Sequence, residues 1–167
     1  KWLYENYDDG DEIYLFGFSR GAYTARSVAG LIILCGLLLR GGTLTCEEVY
    51  KRYQAGKDKL PLHQIEYVLD HPDHQDYLHI TEEDRELAAN SRRVRIRFVG
   101  VWDTVGALGI PWTSAPLIGR GNFYFFNTNL SVLIDAAFHA LAIDEHRAPY
   151  KPTLWNTYTK QGQPPSP

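Results

Sequence analysis

One short segment, Gly17-Phe18-Ser19-Arg20-Gly21, constrains the fold of this chain more than any other because it joins two runs of different character. Before it, a turn at Asp8-Asp9-Gly10-Asp11 leads into residues 12–16, an apolar run rich in strand formers that predicts a buried strand. After it, residues 22–39 are rich in alanine, leucine and small residues, which favour a long helix buried on most sides. The order strand, tight turn, helix indicates an α/β fold.

The pattern Gly17-x-Ser19-x-Gly21 fits a nucleophile elbow, a strained turn that lifts a serine hydroxyl clear of the backbone at the carboxyl edge of a sheet. We expect a side chain at position 17 or 21 to collide with the neighbouring strand or helix. The helix N-terminus behind Ser19 offers positive potential and free N–H groups to an oxyanion, and Arg20 would donate one of them. Glycine and serine are also common in loops, so a glycine-rich turn without chemistry is the alternative.

A nucleophilic serine needs an acid and a base, and in this type of fold they follow it in the order Asp or Glu, then His. Residues 93–98 alternate arginine with apolar residues and lead into the apolar run at 99–102, which predicts a strand entering the core. Asp103 comes at the end of that strand, where side chains project toward the same sheet edge as the elbow. An aspartate that caps a loop by bonding the amide of Thr104 or Val105 is the alternative.

The base is harder to assign, since two histidines follow Asp103 and neither has the expected setting. His139 lies within residues 130–141, whose apolar spacing predicts a helix, so a packed and hydrogen-bonded histidine is expected there. His146 has carboxylate neighbours that are typical of a solvated charge cluster.

The middle of the chain carries helix signals within a polar stretch. Gly41-Gly42 is expected to end the first long helix, and Thr45-Cys46-Glu47-Glu48 has the form of a capping box for a helix to about residue 53. Residues 56–80 are polar, with a short helix predicted at 64–69, and Thr81 is expected to cap another helix to about residue 89. We expect residues 56–90 to form an insertion between core elements, followed after Asp103 by a glycine-spaced loop, an irregular segment and a Pro-rich tail.

Composition limits the remaining choices. The 167 residues are 44% hydrophobic, enough for the core of one domain, and a net charge of -3 shows no excess of positive charge for nucleic acid. The longest apolar stretch, 31–39, is far shorter than the roughly 20 residues of a membrane-spanning helix. Cys35 and Cys46 show neither zinc-site nor disulfide spacing, which favours reduced thiols and a cytoplasmic setting.

Two other binding roles are open. His71-Pro72-Asp73-His74-Gln75-Asp76, with His63 and His79, contains ligand types of a metal phosphoesterase, although histidine and aspartate are ordinary loop residues. The arginines could contact phosphate head groups, although solvated strand-face charges explain the alternating ones better and three arginines make a weak patch. The arginines concerned are Arg20, Arg26, Arg93, Arg95 and Arg97.

Three blocks of the chain carry a family resemblance. Residues 15–26, LFGFSRGAYTAR, resemble the elbow of an α/β-hydrolase domain family formerly of unknown function, which includes phospholipase effector catalytic domains of bacterial type VI secretion and fungal relatives. Residues 99–106, VGVWDTVG, resemble its second block, and residues 139–147 with 152–155 resemble its third. The three blocks come in the family's order and span most of the chain.

The resemblance implies an incomplete α/β-hydrolase fold, with a mostly parallel sheet flanked by helices, in which Ser19 is the nucleophile and Asp103 the triad acid. It implies hydrolysis of a carboxylic ester, of a lipid or another small molecule, with transient membrane contact and without a metal or organic cofactor. Relatives begin with a strand carrying an Asp-Gly-Thr-type motif, and their Gly-x-His-Ser-Asp block, expected to hold the catalytic histidine, would follow residue 167. We therefore expect residues 1–167 to be the central part of one domain, nearly inert alone. A non-catalytic, hydrolase-like interaction module is the alternative, and the oligomeric state is open.

Overall fold

The computed structural model describes residues 1–56, 59–74, 79–104, 131–144, 146 and 154–155. The helices are α1 (Trp2–Asn6), α2 (Arg20–Cys35), α3 (Cys46–Ala55), α4 (Leu62–Asp70) and α5 (Glu82–Asn90), with a 3-10 turn at Pro72–His74. The strands are β1 (Ile13–Phe18), β2 (Leu37–Leu38), β3 (Ser91–Arg92), β4 (Ile96–Trp102) and β5 (Ala137–Ala140). The chain divides into two compact units, one of Lys1–Glu12 with Gly30–Arg95, the other of Ile13–Ala29 with the described residues from Ile96 onward.

The second unit is built on a parallel sheet with the strand order β1-β4-β5. Phe18 pairs with Trp102, and Trp102 pairs with Ala140, so the three strands end side by side. The central strand, β4, buries Val99 and Val101, each 1% exposed. The predicted fold class, α/β with a mostly parallel sheet flanked by helices, is confirmed.

One side of this sheet is covered with aromatic rings. Those on β1 are exposed, whereas β1 was expected to be a buried strand. The strand itself is confirmed, but its side chains alternate between buried and exposed, and Phe16 is 60% exposed. Ring contacts cross the strands, since Phe98 lies 5.4 Å from Phe16 and 5.5 Å from Phe138 between ring centroids. We call this the aromatic face, and it consists of Tyr14, Phe16, Phe18, Phe98, Trp102 and Phe138.

The first long helix ends earlier than expected. The prediction that α2 continues to residue 39 and ends at Gly41-Gly42 is wrong, because the helix ends at Cys35. Gly36 adopts a φ of 71°, a value open to glycine, and donates its N–H to the carbonyl of Ile32 at 2.8 Å. Residues Leu37–Leu38 then pair antiparallel with β3.

The first unit is held by apolar helix faces and capped helix ends. The predicted capping box of α3 is confirmed, with reciprocal bonds between Thr45 and Glu48, and the cap of α5 at Thr81 is confirmed as well. The helices predicted near residues 64–69 and 82–89 are observed as α4 and α5. The most buried apolar side chains of the two, at 1% exposure or less, are Leu62, Ile65, Val68 and Leu87. The assignment of residues 56–90 to an insertion stays a prediction.

A buried ion pair joins two of these helices. The Arg52 guanidinium of α3 donates to Asp84 of α5 at 2.6 Å and to the Leu60 carbonyl at 2.8 Å. The two side chains are 3% and 5% exposed, and the Arg52 guanidinium also pairs with Glu83 at 3.1 Å. Removing Arg52 would leave the buried Asp84 carboxylate without this cation. In the same unit the free Cys35 thiol is buried, and burial raises its pKa to about 12, whereas the free Cys46 is exposed.

The helix predicted over residues 130–141 is wrong. Residue 130 lies outside the described residues, Ile134 forms a bridge to Ile96, and residues 137–140 form β5. The side chains of β5 alternate in exposure because successive side chains of a strand point to opposite faces of the sheet. The pairing of β5 with β4 prevails over the helical spacing of the apolar residues. The expected loop at 105–109, the segment with Pro111 and Pro116, and the Pro-rich tail lie outside the described residues.

We expect Gly36→Ala to lower the free energy of unfolding by at least about 2 kcal/mol, combining left-handed strain with overpacking. An added Cβ would lie 2.5 Å from both the Arg92 carbonyl oxygen and Leu62 Cδ2. Gly41→Ala is the matched control, because Gly41 has a φ of 83° and no described atom within 4 Å of an added Cβ. Urea unfolding of both variants measures the difference, and equal losses would contradict the close contact at Gly36.

Candidate active site

Ser19 is the single residue between the end of β1 and the start of α2, and its φ is 55°. Its N–H donates to the Trp102 carbonyl at 2.9 Å and so extends the β1–β4 ladder by one residue. Its carbonyl accepts from the Tyr23 N–H at 3.3 Å, the first helical bond of α2. The peptide group before Ser19 thus belongs to the strand and the one after it to the helix. The chain changes direction at this single residue, which adopts a left-handed φ to do so.

The two glycines beside Ser19 have different surroundings. A Cβ added at Gly17 would lie 2.6 Å from Ala22 Cα and N, so the close approach of β1 to the first turn of α2 requires glycine there. At Gly21 the predicted collision is wrong, because no described atom outside its own helix backbone and chain neighbours lies within 4 Å of an added Cβ. Gly21 lies on an exposed position of α2 and faces open space instead.

Asp103 repeats this arrangement on the neighbouring strand. It follows β4 directly, has a φ of 43°, and donates its N–H to the Ala140 carbonyl of β5 at 2.9 Å. Since β1 and β4 are adjacent and parallel, Ser19 and Asp103 lie at the same edge of the sheet. The carboxylate oxygen Oδ1 accepts a hydrogen bond from the Ala142 N–H. The donor is thus Ala142 rather than the expected Thr104, and Val105 lies outside the described residues.

His139 lies on β5, not on the predicted helix, but the expectation of a packed, hydrogen-bonded histidine holds. Its Nε2 accepts from the Thr104 N–H at 3.4 Å, and its ring meets the Trp155 ring edge-on at 5.5 Å. Burial, and then the charge of Arg26, lower the pKa of His139, while Asp103 acts in the opposite direction. Among the described residues, no hydrogen bond joins His139 or His146 to Ser19 or to the Asp103 carboxylate.

Two polar residues near this edge were not recognised as buried from the sequence. Arg26 of α2 is 2% exposed, burial lowers its pKa to about 10, and its guanidinium lies 5.0 Å from the centroid of the Trp155 ring. The suggested contact of Arg26 with lipid head groups is therefore wrong. The sequence did carry a signal of this burial, because Arg26 falls on the same helix stripe as the buried alanines at 22, 25 and 29. Thr104, 1% exposed, follows Asp103 directly and had no signal of its own.

Two of the other arginines pair with carboxylates. Arg93 pairs with Glu66 at 3.4 Å in the first unit, and Arg97 pairs with Asp135 at 3.2 Å in the second. Both arginine side chains are more than half exposed, so both are solvated charges. Only Arg97 lies on a strand, because β4 begins at Ile96 and not at residue 93 as predicted. The exposed Arg20 begins α2, so its backbone N–H belongs to the first helical turn, where N–H groups have no acceptor inside the helix.

The structure gives no support to a metal site in the part of the chain that it describes. Within those residues there is no group of three or more His, Cys, Asp or Glu side chains that could hold a metal ion. Gln75 and Asp76 of the proposed phosphoesterase cluster lie outside them.

None of the described helices has the length and apolar character needed to cross a bilayer.

Comparison with known proteins agrees with the resemblance seen in the three sequence blocks. The model of the family described as "T6SS, Phospholipase effector Tle1-like, catalytic domain" matches residues 1–166. The uncharacterized protein YEL023C of Saccharomyces cerevisiae (strain ATCC 204508 / S288c) is 29% identical over 150 residues, a fungal relative of the kind expected. That alignment covers 90% of this chain but 19% of the yeast protein, so the chain spans a small part of this curated relative. No solved structure matches the chain significantly.

We expect Gly17→Ala to lower the free energy of unfolding by at least about 2 kcal/mol, because the added methyl group meets backbone atoms that cannot turn aside. Gly21→Ala is the matched control and should be neutral or stabilising by up to about 1 kcal/mol, since alanine is the better helix former. Urea unfolding of both variants tests this, and a Gly17→Ala variant as stable as Gly21→Ala would rule out the tight contact between β1 and α2.

Proposed function

The chain belongs to the family of Tle1-like phospholipase effector catalytic domains, and we propose that it acts as a serine hydrolase on carboxylic esters of lipids. The observation that carries the proposal is the left-handed turn at Ser19, between a parallel strand and a helix, at the sheet edge that also carries Asp103. This is the geometry that a nucleophile elbow requires. In the proposal Ser19 is the nucleophile, Asp103 the triad acid, and Gly17 and Gly21 the elbow glycines.

In this mechanism the Ser19 hydroxyl loses its proton to a histidine base as Oγ bonds to the ester carbonyl carbon. The backbone N–H of Arg20, at the positive end of α2, stabilises the resulting oxyanion. Collapse of the tetrahedral intermediate breaks the ester bond, and the histidine returns its proton to the leaving alcohol. Water then attacks the acyl-serine by the same route and releases the fatty acid.

The histidine in this mechanism is the one that the family resemblance expects in the Gly-x-His-Ser-Asp block after residue 167. Asp103 would orient it with Oδ2, because Oδ1 already accepts from Ala142 and Oδ2 has no bond from the described residues. A carboxylate held by one oxygen can direct the other at an imidazole N–H, which fixes the tautomer of the base. Neither a metal nor an organic cofactor takes part in these steps.

Apolar side chains close to the two turns support a lipid substrate. Phe18 precedes Ser19 and Trp102 precedes Asp103, and they are 68% and 46% exposed. Beyond β5, Leu141 and Ile143 are 45% and 95% exposed. Exposed apolar groups beside a reactive hydroxyl favour an acyl chain over a polar substrate.

We expect a fluorophosphonate probe to label the full-length protein at Ser19, because an activated serine Oγ bonds to phosphorus as the P–F bond breaks and fluoride leaves. Ser19→Ala should abolish the labelling, and Asp103→Asn should slow it by at least about 100-fold. Gel fluorescence and mass spectrometry of the labelled peptide measure both.

Ser27→Ala is the matched control, since Ser27 is a half-buried serine of α2, the helix that follows Ser19, and should leave the labelling unchanged. Labelling that survives Ser19→Ala would refute Ser19 as the nucleophile. A folded full-length protein that neither reacts with the probe nor hydrolyses esters would favour the non-catalytic interaction module.

A further inference from the structure

We propose that His139 is a positioning residue that fixes the carboxylate of Asp103 by holding the backbone of Thr104. This inference rests on the catalytic role proposed for Asp103. It gives His139 a function distinct from that of the catalytic base, because its ring meets the chain behind Asp103 rather than the carboxylate or the Ser19 hydroxyl.

The turn at Asp103 needs an external constraint. A φ of 43° lies in the left-handed region, which aspartate tolerates better than most residues with a side chain but does not prefer. Contacts with neighbouring groups select it over the extended and right-handed conformations. If Asp103 relaxed to an extended or right-handed conformation, its side chain would turn away from the sheet edge shared with Ser19. The direction of the carboxylate therefore depends on the contacts that hold residues 103 and 104 in place.

These contacts come from β5 and the residues just after it. The Ala140 carbonyl accepts from the Asp103 N–H at 2.9 Å, and the Ala142 N–H donates to Asp103 Oδ1. The third contact is the Thr104 N–H, which donates to His139 Nε2 at 3.4 Å. The first two contacts use backbone atoms of β5 and its extension, whereas the third depends on a side chain. His139 is therefore the component that substitution can remove.

The protonation state of His139 fits this role. An imidazole nitrogen that accepts from an N–H carries no proton, so the ring is neutral with its proton on Nδ1. Burial and the nearby Arg26 of α2 lower the pKa of His139 against the opposing effect of Asp103, which keeps that neutral form. A protonated ring would direct an Nε2–H at the Thr104 N–H and would break the contact.

His139 also carries an unfavourable feature that packing alone does not explain. Its Nδ1 is buried and has no hydrogen-bond partner among the described residues, a situation that costs about 1–3 kcal/mol. An apolar side chain would fill the space between Trp155 and β4 without this cost. The acceptor nitrogen facing Thr104 is what a histidine supplies there and an apolar residue does not.

Three substitutions distinguish the role of His139 as a hydrogen-bond acceptor from its role in packing. His139→Gln can place an amide oxygen near the position of Nε2, His139→Asn places its amide near Nδ1 and cannot reach Thr104, and His139→Leu keeps apolar volume without an acceptor. In the full-length protein, we expect Asn and Leu to lower kcat for p-nitrophenyl butyrate by about 10- to 100-fold, with KM changed less than about 2-fold. Gln should retain kcat within about 3-fold of the unsubstituted protein.

Melting temperatures of the same variants distinguish a positioning role from a role in folding. The His139→Gln and His139→Asn variants should melt within a few degrees of each other. A purely structural role predicts that kcat follows the melting temperature, and equal kcat for Gln and Asn would overturn the proposal. The function is tested separately by probe labelling of the unsubstituted protein at Ser19. If that labelling occurs and Gln, Asn and Leu are equally active, the inference about His139 fails while the proposed function stands.

Discussion

The candidate site depends on the parallel pairing of β1 with β4. This ladder brings together segments that are distant in sequence, and its last bond runs from the Ser19 N–H to the Trp102 carbonyl. A slip of one residue would move every side chain of β1 to the opposite side of the sheet, so the burial of Ile13 and the aromatic face resist it. Apolar packing along the strands thus sets the alignment of Ser19 with Asp103 at their ends.

Local chemistry explains why the turn at Ser19 could be predicted from the sequence. A strand-forming run, a glycine where the helix comes closest, and a helix-forming run each act over a few residues, so the pattern needs no knowledge of distant contacts. Asp103 could be located because the strand before it is apolar, although the Ala142 amide that holds its carboxylate comes from a distant part of the chain. The catalytic assignments of both residues stay proposals.

The strand that was wrongly predicted as a helix depends on a partner distant in sequence. The apolar spacing of residues 130–141 suits a helix, but β4 supplies open backbone groups at its edge, and residues 137–140 pair with them as β5. That pairing leaves no signature in the local sequence, whereas the capping box at Thr45 lies within one helical turn and could be predicted. The end of α2 at Cys35 did have a local signal, because Gly36 directly after it takes a φ of 71°, which glycine adopts readily at a helix end.

The aromatic face has a consequence for the fluorescence of the chain. Parallel sheets of α/β proteins are normally covered on both sides, and each Å² of apolar surface left in water forgoes roughly 25 cal/mol. Its rings stack across all three strands, and the Trp102 ring lies 6.4 Å from the Phe16 ring between centroids. Trp102 lies at the end of this surface and is 46% exposed, so the emission of its indole depends on the water that reaches the face. The indole thus provides a built-in spectroscopic sensor of the solvent exposure of the aromatic face.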